Sequence, residues 1–135
     1  MKKVSFIGVG NMAGAMVKGL SKTAAAKISL TLFDLDKAKL ETKAKAAKAK
    51  VAISLEEACT DQDVIILAVK PVNMLALTEG IAQFVKPSQL VITVAAGIML
   101  EKYENNLPQA HIIRAMPNTS ASVLAGAAGL MAGPK

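Results

Sequence analysis

A chain of 135 residues with 53% hydrophobic residues can bury one ordinary domain core, and with aromatics at only 3% that core has to be built from Val, Ile, Leu, Ala and Met. No apolar run approaches the roughly 18 residues of a bilayer-crossing helix, and the composition is not that of a disordered chain. The net charge of +6 is concentrated in Lys37, Lys39, Lys43, Lys45, Lys48 and Lys50, which read as a solvated helix face rather than a nucleic-acid surface, since no aromatics interleave them and arginine is almost absent.

The first apolar run, Val4 to Gly8, predicts a strand. Asn11 is placed to cap a following helix that carries Met12, Ala15, Met16, Gly19 and Leu20 at helical spacing. Early glycines and Asn11 interrupt this run too soon for a secretory signal, and the lone Cys59 fits a reducing compartment, so a cytoplasmic location is expected. Ile28 to Phe33 predicts a second strand ending at Asp34. Asp36 then caps a helix over Lys37 to Lys48 whose inner face is Leu40, Ala44 and Ala47.

Val51 to Ile53 reads as a brief third strand. Ser54-Leu55-Glu56-Glu57 is a capping-box pattern that opens a short helix to about Thr60. Val64 to Val69 is apolar at every position, as in a strand buried on both faces of a parallel sheet, and Lys70-Pro71 ends it. A helix from Asn73 to Val85, a strand from Leu90 to Val94, a weak helix from Leu100 to Asn106 and a strand from Ile112 to Ala115 follow. A last strand is expected around Gly126 to Met131.

Strands alternating with helices predict a parallel sheet covered on both faces by right-handed crossovers. The short segments after strands are Gly8 to Gly14, Asp34 to Asp36, Lys70-Pro71, Ala95 to Gly97 and Met116 to Asn118. All lie at strand carboxyl ends, the rim where ligands bind in such sheets.

Gly8-Val9-Gly10-Asn11-Met12-Ala13 fits G-x-G-x-x-[GA] between a strand and a helix. The first glycine allows a tight turn, the second lets a pyrophosphate approach the backbone, and Ala13 lets the helix pack on the strand. A plain strand-to-helix turn is the competing reading. Asp34 stands where an acid accepts hydrogen bonds from adenosine ribose hydroxyls, which favours NAD, or else it is a turn or cap residue. Lys37 and Lys39 are close enough to attract a 2′-phosphate instead. His111 and Cys59 have no partners that suggest catalysis, and no cluster reads as a metal site.

"FIGVGNMAGAMVKGL", "DVIILAVKP", "LVITVAAGI" and "IIRAMPNTSA" occur in an order and at a spacing that resemble pyrroline-5-carboxylate reductase over nearly the whole chain. The resemblance implies a single Rossmann-type α/β domain over residues 1–135, with a doubly wound, mostly parallel sheet. It also implies reduction of 1-pyrroline-5-carboxylate to L-proline with NADP or NAD as cofactor.

On that resemblance, Ile7, Gly8, Val9, Gly10, Asn11 and Met12 hold the pyrophosphate. Ala68, Val69, Lys70, Pro71, Ala95, Ala96 and Gly97 line the nicotinamide side. Met116, Pro117 and Asn118 form the floor near the imine substrate, and no catalytic side chain is assigned. Lys70 is either a cofactor-loop residue or a solvent-facing strand end.

Asp34-Leu35-Asp36 departs from the Ser, Thr, Asn or Arg that many members carry there, and leaves NAD against NADP open. Ser120 departs from the commoner proline. The family's helical second domain, which builds its homo-oligomer and much of the imine pocket, would lie beyond Lys135. By itself the chain is therefore expected to bind a dinucleotide, turn over little imine and self-associate through its last strand and "SVLAGAAGLM". Another imine or 3-hydroxyacid reductase, and a non-catalytic dinucleotide-binding relative, are the alternatives.

Overall fold

Side chains along the first strand alternate between two packing layers. In β1 (Lys2–Ile7), Val4 and Phe6 join one buried cluster and Ile7 joins the other. A strand apolar on both faces needs cover on both, and the described residues supply it with five helices. The protein is described here from a computed structural model, over residues 2–23, 27–95, 97–115 and 131–132.

After β1 come α1 (Asn11–Thr23), β2 (Ile28–Phe33), α2 (Lys37–Ala47), β3 (Lys50–Val51) and α3 (Leu55–Cys59). These are followed by β4 (Val64–Leu67), α4 (Pro71–Ile81), β5 (Leu90–Thr93), α5 (Leu100–Asn106), β6 (His111–Arg114) and β7 (Met131–Ala132). The sheet order is β3-β2-β1-β4-β5-β6-β7. Every pair from β3 to β6 is parallel, and β7 pairs antiparallel to β6 at the edge. This is the doubly wound order, with its reversal between β1 and β4.

Ala13, Met16 and Val17 of α1 and Leu40 and Ala44 of α2 pack with Phe6, Leu32 and Ile66 on one face. Ala58 and Cys59 of α3, Met74 and Ile81 of α4 and Tyr103 of α5 pack with Ile65, Leu67 and Val91 on the other. Leu40 and Ala44 are buried and Ala47 is half-buried, so α2 presents the small inner face its sequence predicts.

Several element ends differ from the sequence reading, each for a local reason. The first residue of α1 is Asn11, and the Gly14 N–H donates to the Gly10 carbonyl at 2.7 Å, so Gly10 and not Asn11 occupies the capping position. Helix α4 begins at Pro71 rather than Asn73, because proline's fixed φ and missing N–H suit the first helical turn. It ends at Ile81 rather than Val85. Strand β4 stops at Leu67, and β3 is two residues long, with Ile53 exposed.

Of the three predicted caps, those at Asp36 and Ser54 form. Asp36 Oδ1 accepts from the Lys39 N–H at 3.1 Å, and Ser54 Oγ accepts from the Glu57 N–H at 3.1 Å. The last strand sits at Met131–Ala132, while most of the segment expected to hold it, and "SVLAGAAGL" before it, lie outside the described residues. No helix among the described residues is long and apolar enough to cross a membrane.

Cys59 is fully buried under the sheet, and burial pushes its thiol up to about 12 from an ordinary 9.0. In the folded chain the thiol stays protonated where the unfolded chain releases its proton. The titration of Cys59 thus leaves stability unchanged below pH 9.0 and lowers it as pH rises from there toward about 12. Urea midpoints measured for the parent and for Cys59→Ala should diverge in slope only across that window. The native thiol should also resist alkylation at pH 8 until denaturant is added.

Candidate functional site

The carboxyl ends of β1, β2, β4, β5 and β6 share one rim, since these strands are mutually parallel. Ile7 pairs with both Phe33 and Leu67, so the turn after β1 emerges at the point where strand order reverses. Backbone hydrogen bonds lock the surrounding loops to it. Gly8 N–H donates to the Phe33 carbonyl, and Ala68 N–H donates to the Ile7 carbonyl, both at 2.8 Å.

Gly8 and Gly10 are glycines for different reasons. Gly8 has φ +98°, and a Cβ there would lie 2.8 Å from the Ala68 carbonyl carbon and oxygen and 2.9 Å from Val69 N. The loop after β4 therefore packs directly on the backbone of Gly8. A Cβ at Gly10 would meet nothing within 4 Å, and its φ lies outside the region that favours glycine. Among the described residues, no protein neighbour accounts for the missing side chain.

Gly10 also opens α1, a helix of 13 residues. Among the described residues, the N–H groups of Gly10, Asn11, Met12 and Ala13 have no hydrogen-bond partner. Unpaired amides, the positive end of a helix dipole and an uncluttered approach at Gly10 make an anion cradle. The residues thus fit the diphosphate that their sequence pattern suggests. Ala13, 1% exposed, seats α1 on the sheet behind the cradle.

Asp34 has a structural task that its sequence position left open. Its Oδ2 accepts from the Val9 N–H and its Oδ1 from the Asp36 N–H, each at 2.8 Å. The carboxylate ties the glycine turn to the loop after β2 and forms an Asx turn within that loop. Each oxygen keeps a further lone pair, so the tie does not exhaust its capacity as an acceptor. Asp34→Asn keeps one acceptor and turns an amide toward the other N–H. It should lower the unfolding free energy by about 1–3 kcal/mol in urea titrations, and an unchanged midpoint would mean that the tie contributes nothing.

The other predicted residues fall on the same rim where they are described. Ala68 and Val69 are half-buried beside Gly8, while Lys70 and Pro71 are exposed at the start of α4. Ala95 is buried, and its N–H donates to Thr93 Oγ1 at 3.4 Å. Gly97 is exposed in the following loop. Ala96, Met116, Pro117 and Asn118 lie outside the described residues. His111 is exposed at the start of β6, on the opposite rim, and Asp63 there accepts from the Lys3 N–H at 2.8 Å. Among the described residues, no group of three or more His, Cys, Asp or Glu could hold a metal ion.

Two supports of this rim had no signal in the sequence. Thr93 Oγ1 donates to the buried Tyr103 hydroxyl at 2.7 Å, pinning α5 beneath the end of β5. Burial raises the Tyr103 pKa, against the lowering effects of the Thr93 hydrogen bond and the Arg114 charge. Arg114 Nη1 donates to the Ile98 carbonyl at 3.3 Å and holds the loop after β5 from the neighbouring strand. Apolar periodicity marks neither, since both depend on which strands become neighbours.

Comparison with known proteins agrees with this geometry. The chain is 37% identical over 135 residues to pyrroline-5-carboxylate reductase of Pasteurella multocida, covering 97% of this chain and 49% of the relative. A pyrroline-5-carboxylate reductase structure from Coxiella burnetii superposes with a TM-score of 0.87 at 31% identity, over 97% of this chain and 49% of that one. The Plasmodium falciparum pyrroline carboxylate reductase, solved with NADP bound, gives a TM-score of 0.73 at 27% identity, covering 87% of this chain and 43% of its own. The chain spans about half the length of the curated relatives it matches. Residues 3–97, from β1 to the loop after β5, match the model of the family described as NADP oxidoreductase coenzyme F420-dependent, and the chain belongs to that family.

Proposed function

We propose that this chain is the dinucleotide-binding domain of a reductase that converts 1-pyrroline-5-carboxylate to L-proline. The observation that carries the reading is Gly10: a glycine that neither its backbone conformation nor packing among the described residues requires, set at a helix start with four unpaired N–H groups. The names of the P. multocida and C. burnetii relatives supply the substrate.

In this reading Ile7 to Met12 form the diphosphate cradle, with the amides from Gly10 onward donating to it. Asp34 holds the Val9 amide in place, and its remaining lone pairs face the adenosine ribose. Ala68 to Pro71 and Ala95 to Gly97 line the nicotinamide side, and Met116, Pro117 and Asn118 the imine side. The cofactor is NADP or NAD, and when bound it supplies the hydride that reduces the imine carbon. The protein residues bind and orient it; none of those described here acts as nucleophile. A cytoplasmic location and assembly of the whole reductase into homo-oligomers belong to the same proposal.

Titration of the chain with NADPH and NADH, followed by quenching of nicotinamide fluorescence, tests the cofactor assignment. One-to-one binding of either supports it, and binding of neither overturns it. The imine should cause little loss of reduced nicotinamide with this chain alone. A chimera joining residues 1–135 to the second half of the P. multocida relative should consume NADPH only when the imine is present. A folded, NADPH-binding chimera that leaves the imine untouched would overturn the substrate assignment.

A further inference from the structure

A groove of about 810 Å³ runs between the second halves of α1 and α2, over the amino end of β2, on the rim opposite the glycine turn. Its walls carry Lys18, Lys22, Lys43, Lys48 and Lys50, and no carboxylate lines it. Val17, Ile28 and Leu30 give it an apolar floor. Among the described residues none of the five lysines has an ion-pair partner.

Helix dipoles account for part of this charge, since cations are favoured near helix carboxyl ends, where Lys22 lies. They do not account for Lys50 on β3 or for Lys43. The latter is half-buried and lies across α1, its Nζ 3.1 Å from where a Gly14 Cβ would stand. Nor do they explain the backbone of Lys48. This residue adopts φ 55° and ψ 39° at the carboxyl cap of α2, the left-handed conformation that glycine takes at least cost. Lysine there costs about 1–2 kcal/mol of backbone strain. Glycine is the least costly residue for that backbone, while the carboxyl end of α2 favours the lysine's charge.

We infer that this groove is a binding site for a small phosphorylated anion with an apolar body, separate from the dinucleotide cradle. Its volume falls within the roughly 300–1,000 Å³ of small-molecule sites. Five lysines lining one groove with no carboxylate among its described lining residues match two or more phosphate groups, and the apolar floor matches an organic moiety. A single-stranded nucleic acid fits less well, because no aromatic side chain and no arginine lines the groove.

ATP and inorganic tripolyphosphate, titrated separately into the 15N-labelled chain, test the inference. Saturable shifts at one equivalent of ATP should appear in residues 17–22 and 43–50, with tripolyphosphate binding the same residues more weakly. Lys43→Glu with Lys48→Glu should weaken ATP at least about 10-fold, as two charge reversals near phosphates require. Lys37→Glu with Lys39→Glu, outside the groove, should not.

Lys48→Gly separates charge from folding: it suits the left-handed backbone, so the Tm should hold or rise while ATP affinity falls several-fold. Gly10→Asp should leave groove binding intact, which keeps this test independent of the cofactor assignment. Shifts confined to residues 8–13, equal weakening by the Lys37 and Lys39 changes, or tighter binding of a DNA 12-mer than of ATP would each overturn the inference.

Discussion

Replacing Gly8 by alanine is expected to lower the unfolding free energy by about 2–5 kcal/mol, combining the cost of a left-handed backbone with that of overpacking. The atoms a methyl group would strike are the Ala68 carbonyl and Val69 N, at 2.8–2.9 Å. These are backbone atoms of the segment that leaves β4, so no rotamer change relieves the contact. The loop after β4 would have to move away from the turn, weakening the Ala68 N–H to Ile7 carbonyl hydrogen bond as well. Urea unfolding of the two chains measures the difference. A loss below about 1 kcal/mol would show that the loop yields easily, which is not how close-packed backbone behaves.

Gly10→Asp should do the reverse. A Cβ at Gly10 meets no atom of the described residues, and aspartate is among the best residues at a helix capping position. Stability should stay within about 0.5 kcal/mol of the parent or rise slightly. The new carboxylate would accept from the amides that make the cradle and repel an arriving diphosphate. A unit like charge held about 4 Å away at an effective dielectric of about 20 costs about 4 kcal/mol, so NADPH affinity should fall at least about 100-fold. Equal NADPH affinity in the parent and in Gly10→Asp would remove the cradle from the proposed site. The two glycines stand two residues apart in one motif, yet one is predicted to control stability and the other binding.

Much of this was legible in the chain itself. The aliphatic run Val64 to Val69 announces a strand buried on both faces, and β4 lies in the middle of the sheet. Ser54 and Asp36 announce helix starts, because a capping side chain acts on backbone groups only three residues away. The glycine motif sits at the topological switch point, as its strand-turn-helix context implied. Boundaries were less legible. Pro71 reads as the end of a strand or the start of a helix, and only the direction the chain takes after Leu67 decides which.

Asp34 shows where local reading stops. Its position after the second strand suggested an acceptor for a ligand or a turn residue, and nothing nearby in sequence distinguishes the two. Its contact with the Val9 N–H spans 25 residues and exists only because β1 and β2 are paired in register from Lys2 with Ile28 to Ile7 with Phe33. Gln89 is similar. It is buried, and its side chain donates to the carbonyls of Cys59 and Gln62 at 2.6 and 2.9 Å, stitching two segments that no pattern links.

The sequence alone thus determined what depends on near neighbours: the alternation of strands and helices, the caps at Asp36 and Ser54, the parallel sheet, and the glycine turn with its helix. Those follow from periodicity and from hydrogen bonds closed within a few residues. The tertiary structure decided what depends on register and packing across the sheet: that Gly8 serves the loop after β4, that Gly10 meets no described neighbour, that Asp34 braces the turn, and that five lysines line one groove. Side chains far apart in the chain meet only once strand order is set, and strand order is a property of the folded sheet.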